Sequence, residues 1–247
     1  MIDGNKKIYD IQEIDDVFFN REKTLKNIFL ETMPMNIFDV GANIGQSLIQ
    51  FKNWFPTSTV YCFEPDPDTY HVLKSNNHKN VIYHNVGVGS KNKEKIFYQY
   101  SLSAMNSFLQ IDKKSKVFKE KVHKKINEAL ENDENESYVQ IITLDQYCQD
   151  NNIDKIDILK IDVQGYEKKV LKGARKLLKE NDISVLIIEI IFDEIYGRGT
   201  SFYEIELRLI PKGYKLWDIS HIYKDLTKNR TNWVDVIYVK KEIYESL

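Results

Sequence analysis

The sequence predicts a doubly wound α/β fold: a mostly parallel sheet with helices on both faces. Two observations carry that expectation. Continuous apolar runs, too uniform for a strand with one wet face, recur along the chain. Helical spacing of apolar residues fills the intervals between them. Such units connect right-handedly and bind ligands beyond the carboxyl ends of their strands.

Strand-like runs fall at 36–40, 59–63, 81–86, 156–161, 185–190, 215–218 and 234–239, with helices near 46–54, 67–76, 167–180 and 203–210. In the third of these helices Val170, Leu171, Ala174, Leu177 and Leu178 repeat at helical spacing. Two segments stand outside the rhythm. Residues 1–35 read as a helical N-terminal extension packing across the sheet, and 90–152 as an insert between the third and fourth strands. Within the insert, 95–100 and 138–143 are strand-like and suited to antiparallel pairing. The charged stretch between them places Phe118, Val122, Ile126, Ala129 and Leu130 at helical spacing, which predicts an amphipathic helix with a lysine face. Its solvated face is the plain reading; the sharper one is a lid whose Lys113, Lys116, Lys119 and Lys124 meet a phosphate-bearing acceptor. No repeat, linker or second core divides residues 1–247, so one domain is expected.

Composition narrows the function. Of 247 residues 42% are hydrophobic and 29% charged, the balance of a globular protein rather than a disordered or fibrous one. Lys and Arg total 35 against 37 Asp and Glu, a net charge of -2, which supplies no global field for nucleic acid or anionic membrane. The longest apolar stretch, 183–192, is too short to span a bilayer and contains Glu189. The first residues lack the basic-then-apolar order of a signal peptide. Cys62 and Cys148 have no metal-type spacing, and Cys62 in its apolar run reads as a buried thiol. The expectation is a soluble, cytoplasmic protein without a disulfide framework.

Phe38-Asp39-Val40-Gly41-Ala42-Asn43-Ile44-Gly45 joins the first strand to the first helix of the sheet. Gly41 and Gly45 let backbone approach a ligand, and Asn43 tolerates positive φ. The run fails the dinucleotide fingerprint, since Asn43 and Gln46 stand where its second and third glycines belong. It fits instead the first motif of S-adenosylmethionine-dependent methyltransferases, and Asp39 suits a cationic ligand carrying an amino group. Glu64, 25 positions after Asp39 at the tip of the second strand, is placed to accept both hydroxyls of an adenosine ribose. That role serves NAD and adenosylmethionine alike. The third strand ends at Asn85-Val86, where the adenine edge is expected.

Those motifs, with Phe63-Glu64-Pro65, Asn106-Ser107, Thr143-Leu144-Asp145, Leu159–Glu167 and the strand bearing Glu189, resemble the FkbM-type methyltransferases over residues 36–240. The resemblance implies a class I methyltransferase fold, with seven strands of which the last is antiparallel. It also implies S-adenosylmethionine as cofactor and transfer to an oxygen, on a sugar or a polyketide. In the family Ser107 lies close to the cofactor. Family members commonly carry Glu where this chain has Gln164, while the flanking Asp162, Gly165 and Glu167 remain.

An aliphatic hydroxyl must lose its proton to accept a methyl group, help worth about 10²–10⁴-fold. Asp162, Glu189 and His221 follow or end the fourth, fifth and sixth strands and are placed to converge on one edge. Two chemistries fit that trio: His221 as general base oriented by a carboxylate, or all three holding Mn²⁺ or Mg²⁺ to acidify the hydroxyl. Asp162 also suits a helix cap, and His221 an exposed loop. Trp217, Tyr196 and Trp233 are placed to stack on a sugar ring. The leading expectation is an O-methyltransferase of a sugar or nucleotide-linked sugar. Competitors are a non-sugar acceptor, an NAD-dependent oxidoreductase, a nucleic-acid methyltransferase and a non-catalytic binding module. Oligomeric state stays open; the N-terminal extension offers a surface for a homodimer.

Overall fold

The structure is a computed structural model that describes residues 20–30, 32–114, 135–180, 182–197, 199–225 and 229–247. Its centre is β1 (Asn36–Val40), flanked by β2 (Thr59–Phe63) and, on the other side, β7 (Ile156–Ile161). Outward from these lie β3 (Val81–His84) on one side, and β8 (Ile183–Ile191), β10 (Arg230–Lys240) and β9 (Tyr214–Asp225) on the other. The seven-stranded order is β3-β2-β1-β7-β8-β10-β9, with β10 antiparallel to both neighbours and the remaining pairs parallel. All six residues of β7 are buried, as a central strand covered on both faces requires. The chain turns from building one half-sheet to the other between β1 and β7, the switch point where open α/β sheets bind ligands.

Helices α1 (Arg21–Ile28), α2 (Gln46–Trp54), α3 (Pro67–Ser75), α4 (Leu144–Asp150), α5 (Glu167–Gly173), α6 (Arg175–Glu180), α7 (Phe202–Leu209) and α8 (Lys241–Ser246) surround it. One face buries Phe38, Leu144, Val170, Leu171, Leu178 and Ile205. The other buries Leu25, Phe29, Ile37, Leu48, Phe51 and Ile237. The described part of the N-terminal extension, α1, does pack across this second face, with Phe29 edge-on to Phe55 at 6.1 Å. Where one long helix is expected over 167–180, the chain forms two: Ala174, fully buried with φ −109, interrupts the ladder between α5 and α6.

The insert forms a second sheet. Its β5 (Lys93–Gln99) and β6 (Asn135–Ile142) pair antiparallel in the expected way, Lys95 opposite Val139. Unexpectedly, β4 (Gly87–Val88) leaves the line of β3 and joins β6 in parallel, giving the order β4-β6-β5. The third strand therefore ends at His84, short of Val86. The expected helix of the insert lies outside the described residues, as do Lys116, Lys119 and Lys124. Among the described residues no helix is long and apolar enough to cross a membrane. Cys62 and Cys148 are both free and buried.

Candidate active site

A cleft of about 290 Å³ opens over the switch point. Its floor is Val40, Gly41, Ala42 and Asn43, its far rim Glu64 and Pro65, and its insert-side wall Gly87, Val88, Phe97, Asn106 and Phe108. Lys160, Asp162, Gln164 and Glu189 close the remaining end.

The turn after β1 is built by close backbone contact. Gly41 and Ala42 donate to the Phe63 carbonyl at 3.0 and 3.1 Å, and Gly45, left-handed at φ +100, starts α2. Asn43 adopts φ +48, and its N–H donates to Glu64 Oε2 at 2.9 Å. Glu64 Oε1 accepts from the Asp66 N–H at 2.9 Å. Burial pushes the Glu64 carboxyl up to about 7, against the pull of those two N–H donors. A second acid, Asp66, ties the insert down. Besides capping α3 it accepts from Gln99 Nε2 at 2.9 Å and Asn106 Nδ2 at 2.8 Å, drawing the insert loop over the cleft. Ser103 Oγ reaches across to Asn43 Oδ1 at 3.1 Å.

Behind the turn stands a row of charges. Ile37, Ile158, Ile187 and Ile237 share the core of one face, and each is two residues from Asp39, Lys160, Glu189 and Asp235, so strand alternation puts those four on the same face. Asp39 is fully buried, and neither of its carboxylate oxygens has a hydrogen-bond partner. Lys160 Nζ lies 3.9 Å from it and 3.1 Å from Asp162 Oδ2. Burial pushes Asp39 up to about 6, opposed by Lys160. Burial works against the Lys160 cation, yet Asp162, Asp39 and Asp235 hold its pKa above the usual lysine value.

Asp162 and Glu189 meet through one amide. Gln164 Nε2 donates to Asp162 Oδ1 at 3.0 Å and to Glu189 Oε2 at 2.6 Å. On its other side Gln164 Oε1 lies 3.2 Å from Tyr196 Oη, which also reaches the Met105 carbonyl at 2.9 Å. Burial raises both carboxyls, but Lys160 brings Asp162 below its ordinary value while the Asp162 charge drives Glu189 further up. Of the two, Asp162 is thus the member that ionises more readily and Glu189 the one that holds its proton more tightly. Asp162 does not cap α5: Tyr166 occupies that position without a side-chain bond.

Several expected roles change. His221, at φ +49 and 54% exposed, does not line the cleft; its Nδ1 lies 2.9 Å from Arg21 Nη2, which is also ion-paired with Asp235. Asp235 and α1 thus draw the imidazole away, and Asp162, Glu189 and His221 do not form a ligand set: among the described residues no three His, Cys, Asp or Glu side chains gather to hold a metal. Asp39 lies beneath the turn rather than in the cleft. Asn85 clamps the Glu64 and Pro65 carbonyls at 3.0 Å each, and the wall begins after Val86, at Gly87. Ser107 is buried with its hydroxyl donating to the Gln164 carbonyl at 2.8 Å, so its neighbour Asn106 faces the cleft. Of the aromatic trio, Trp233 stacks on Tyr223 at 3.9 Å and Trp217 meets Tyr244 edge-on at 5.8 Å. Lys160, Asp66 and Arg21 carry no role in the sequence reading, and Gln164 enters it only as a departure from the family's Glu; a lysine two positions before Asp162 in an apolar strand is the signal that points to Lys160.

The strand order, the cleft over the switch point and an acid at the tip of β2 together define a class I methyltransferase fold. The chain belongs to the family described as the methyltransferase FkbM domain, whose model matches residues 39–216. It is 26% identical to the methyltransferase sdnD of Sordaria araneosa over 244 residues, 91% of this chain and 88% of that protein. It is 24% identical to the hexuronic acid methyltransferase AglP of Haloferax volcanii over 198 residues, 76% of this chain and 72% of that one. A crystal structure of a SAM-dependent methyltransferase from Aquifex aeolicus superposes with a TM-score of 0.45 at 14% identity, covering 93% of this chain and 98% of the other.

Proposed function

We propose that the protein methylates a hydroxyl oxygen of a sugar, free, nucleotide-linked or part of a glycan precursor, using S-adenosylmethionine. The observation that carries the reading is the Asp162–Gln164–Glu189 arrangement at the end of a cleft whose other end presents Glu64. Relatedness to a protein named as a hexuronic acid methyltransferase supports the sugar.

The residues present fit a cationic adenosine cofactor. Asp39, Glu64, Asp162, Glu189 and Asp235 outnumber Lys160 and Arg21 around the site, and neither Asp39 oxygen accepts a hydrogen bond among the described residues, Lys160 Nζ standing 3.9 Å away. Such uncompensated buried carboxyls are costly unless a cation relieves them. When bound, the cofactor supplies an electrophilic methyl group on a sulfonium. Gly41, Ala42 and Asn43 would hold its amino-acid end, Glu64 its ribose hydroxyls, and Val88 with Phe97 an apolar wall for its base. Asp162, kept ionised by Lys160, takes the acceptor proton at its carboxylate. Gln164 fixes that carboxylate, and Glu189, which holds its proton more tightly than an ordinary carboxyl, limits the negative charge beside it. Alignment and exclusion of water supply the rest of the acceleration.

The test is titration of S-adenosylhomocysteine into the protein, followed by mass spectrometry of sugar and sugar-nucleotide acceptors incubated with the methyl donor. One equivalent bound and a 14-dalton gain on a sugar hydroxyl are expected. Binding of NAD in its place, or methylation confined to non-sugar acceptors, would sink the reading.

A further inference from the structure

A second cavity, of about 400 Å³, lies between α5–α6 and α7 and is lined by Leu171, Lys172, Arg175, Leu207, Arg208 and Lys212. It is far from the cleft in the logic of the fold. Helix α5 starts at the carboxyl edge, just after β7, and runs back toward the amino edge where β8 begins; Lys172 and Arg175 stand at its far end. Since β9 runs in the same direction as β8, Lys212, two residues before β9, is at that amino edge too.

Four of the six lining residues are cations and none is an acid. Among the described residues no carboxylate forms an ion pair with any of the four. The acids of α7 are committed elsewhere. Glu204 caps its own helix and pairs with Lys168 at 3.2 Å, while Glu206 accepts from Tyr238 Oη at 3.3 Å. Two of the cations are held in position by backbone: Arg208 Nη1 donates to the Glu204 carbonyl at 2.7 Å, and Lys212 Nζ donates to the Arg208 carbonyl. Among the described residues most donors of both arginines are left without a hydrogen-bond partner. In a chain of net charge -2, four cations round one cavity repel each other, with Glu204 offsetting only Arg208 in part. Burial, and then the Arg175 and Arg208 charges, lower the Lys212 pKa, and an anion relieves that repulsion.

We infer that this cavity binds a diphosphate group, or two phosphates in close succession, at a site separate from methyl transfer. Four positive charges cover the about two to three negative charges a diphosphate carries near neutrality, and exceed what a carboxylate or single phosphate needs. Guanidinium forks suit phosphate oxygens bidentately. Leu207, 52% exposed beside the cations, gives the organic part of a phosphate ester an apolar side chain to lie against. Such a group comes either from a soluble nucleotide-type ester or from a lipid headgroup.

The test uses inorganic pyrophosphate titrated calorimetrically into the full chain, alongside co-sedimentation with vesicles containing or lacking an anionic phospholipid. Saturable pyrophosphate binding that weakens with added salt is expected. The Arg175→Gln/Arg208→Gln double variant should bind at least tenfold more weakly, and should melt no lower than the parent at low salt because repulsion is relieved. Lys172→Gln should weaken binding less. Retention by anionic vesicles, lost in the double variant, identifies the source as a lipid; pyrophosphate binding without it identifies a soluble ester. Binding to neither, or binding that the double variant retains, overturns the inference. Cofactor titration of the same variants should be unchanged, which separates this outcome from failure of the methyltransferase reading.

Discussion

Gly41 and Asp162 touch through their backbones. A Cβ on Gly41 would lie 1.8 Å from the Asp162 carbonyl oxygen, and the Asp162 N–H donates to the Val40 carbonyl at 3.0 Å. The turn after β1 and the loop that carries Asp162 are therefore one mechanical unit, and a glycine at position 41, with φ +81, is what lets them close. Gly41→Ala should destabilise the fold by about 2–5 kcal/mol, combining left-handed strain with overpacking. Urea denaturation checks the first number, and S-adenosylhomocysteine affinity should fall at least tenfold. A variant as stable and as tight-binding as the parent would mean the loops do not depend on this contact.

Cofactor binding should strengthen as pH rises. Burial is the main cause that lifts Asp39 from 3.8 to about 6 and Glu64 from 4.5 to about 7. Both carboxyls hold protons more tightly folded than unfolded. Stability of the free protein accordingly falls as pH rises through the window from about 4 to 7, by about 3 kcal/mol for each group. A cation and hydroxyl donors favour the ionised forms, so binding runs the other way. Calorimetry at pH 5.5 and pH 8 should show at least tenfold tighter S-adenosylhomocysteine at the higher value. A flat profile would remove Glu64 from its ribose role.

Arg21 joins α1 to the far end of the charge row, and its removal leaves Asp235 only 15% exposed without that partner. Arg21→Ala should cost about 3–5 kcal/mol, the usual penalty for stranding one member of a buried pair. Burial, and then the Arg21 charge, keep the His221 pKa below its ordinary value. NMR titration should therefore show the imidazole pKa rising in Arg21→Ala. His221→Ala, by contrast, should leave kcat within about threefold, far from the loss a general base would show.

The main sheet was legible because its strands are buried on both faces and read as unbroken apolar runs, and because Gly41, Gly45 and Glu64 stand at fixed offsets from strand ends. Other features depend on contacts distant in sequence. Gly87–Val88 is two residues long, and its partner, β6, lies about fifty positions on, so no local pattern shows that it leaves the main sheet. His221, expected to follow a strand end as Asp162 does, lies inside β9 because that strand runs on to Asp225, and Arg21, 200 positions earlier, engages its ring. Gln164, which stands where family members commonly carry Glu, is the donor shared by two acids, a role that only the meeting of Asp162 and Glu189 creates. The masking of Asp39 by the turn above it is likewise a matter of packing depth, which strand position alone does not encode.

The assignment of Asp162 as acceptor base separates from that of Gln164 as its positioning residue. Asp162→Asn removes the proton acceptor and should lower kcat by about 10²–10⁴-fold while S-adenosylhomocysteine still binds. Gln164→Ala keeps the carboxylate but deletes the amide that bridges it to Glu189, so the direct hydrogen bond between the two acids is left to hold the pair. Their coupling then sets the pH dependence. The alkaline arm of the kcat profile should be unaffected, while the acidic arm should move upward as Asp162 loses a donor that favoured its ionised form. Gln164→Glu returns the acid common in the family and adds a third carboxyl beside Glu189. Without a cation to offset it, that carboxyl takes up a proton, and activity recovers only at lower pH. Measuring kcat against pH for the three variants, with cofactor affinity as the control, distinguishes the roles. If Asp162→Asn transfers methyl at the parental rate, the base lies elsewhere; if Gln164→Ala leaves the acidic arm in place, the amide does no more than fill space.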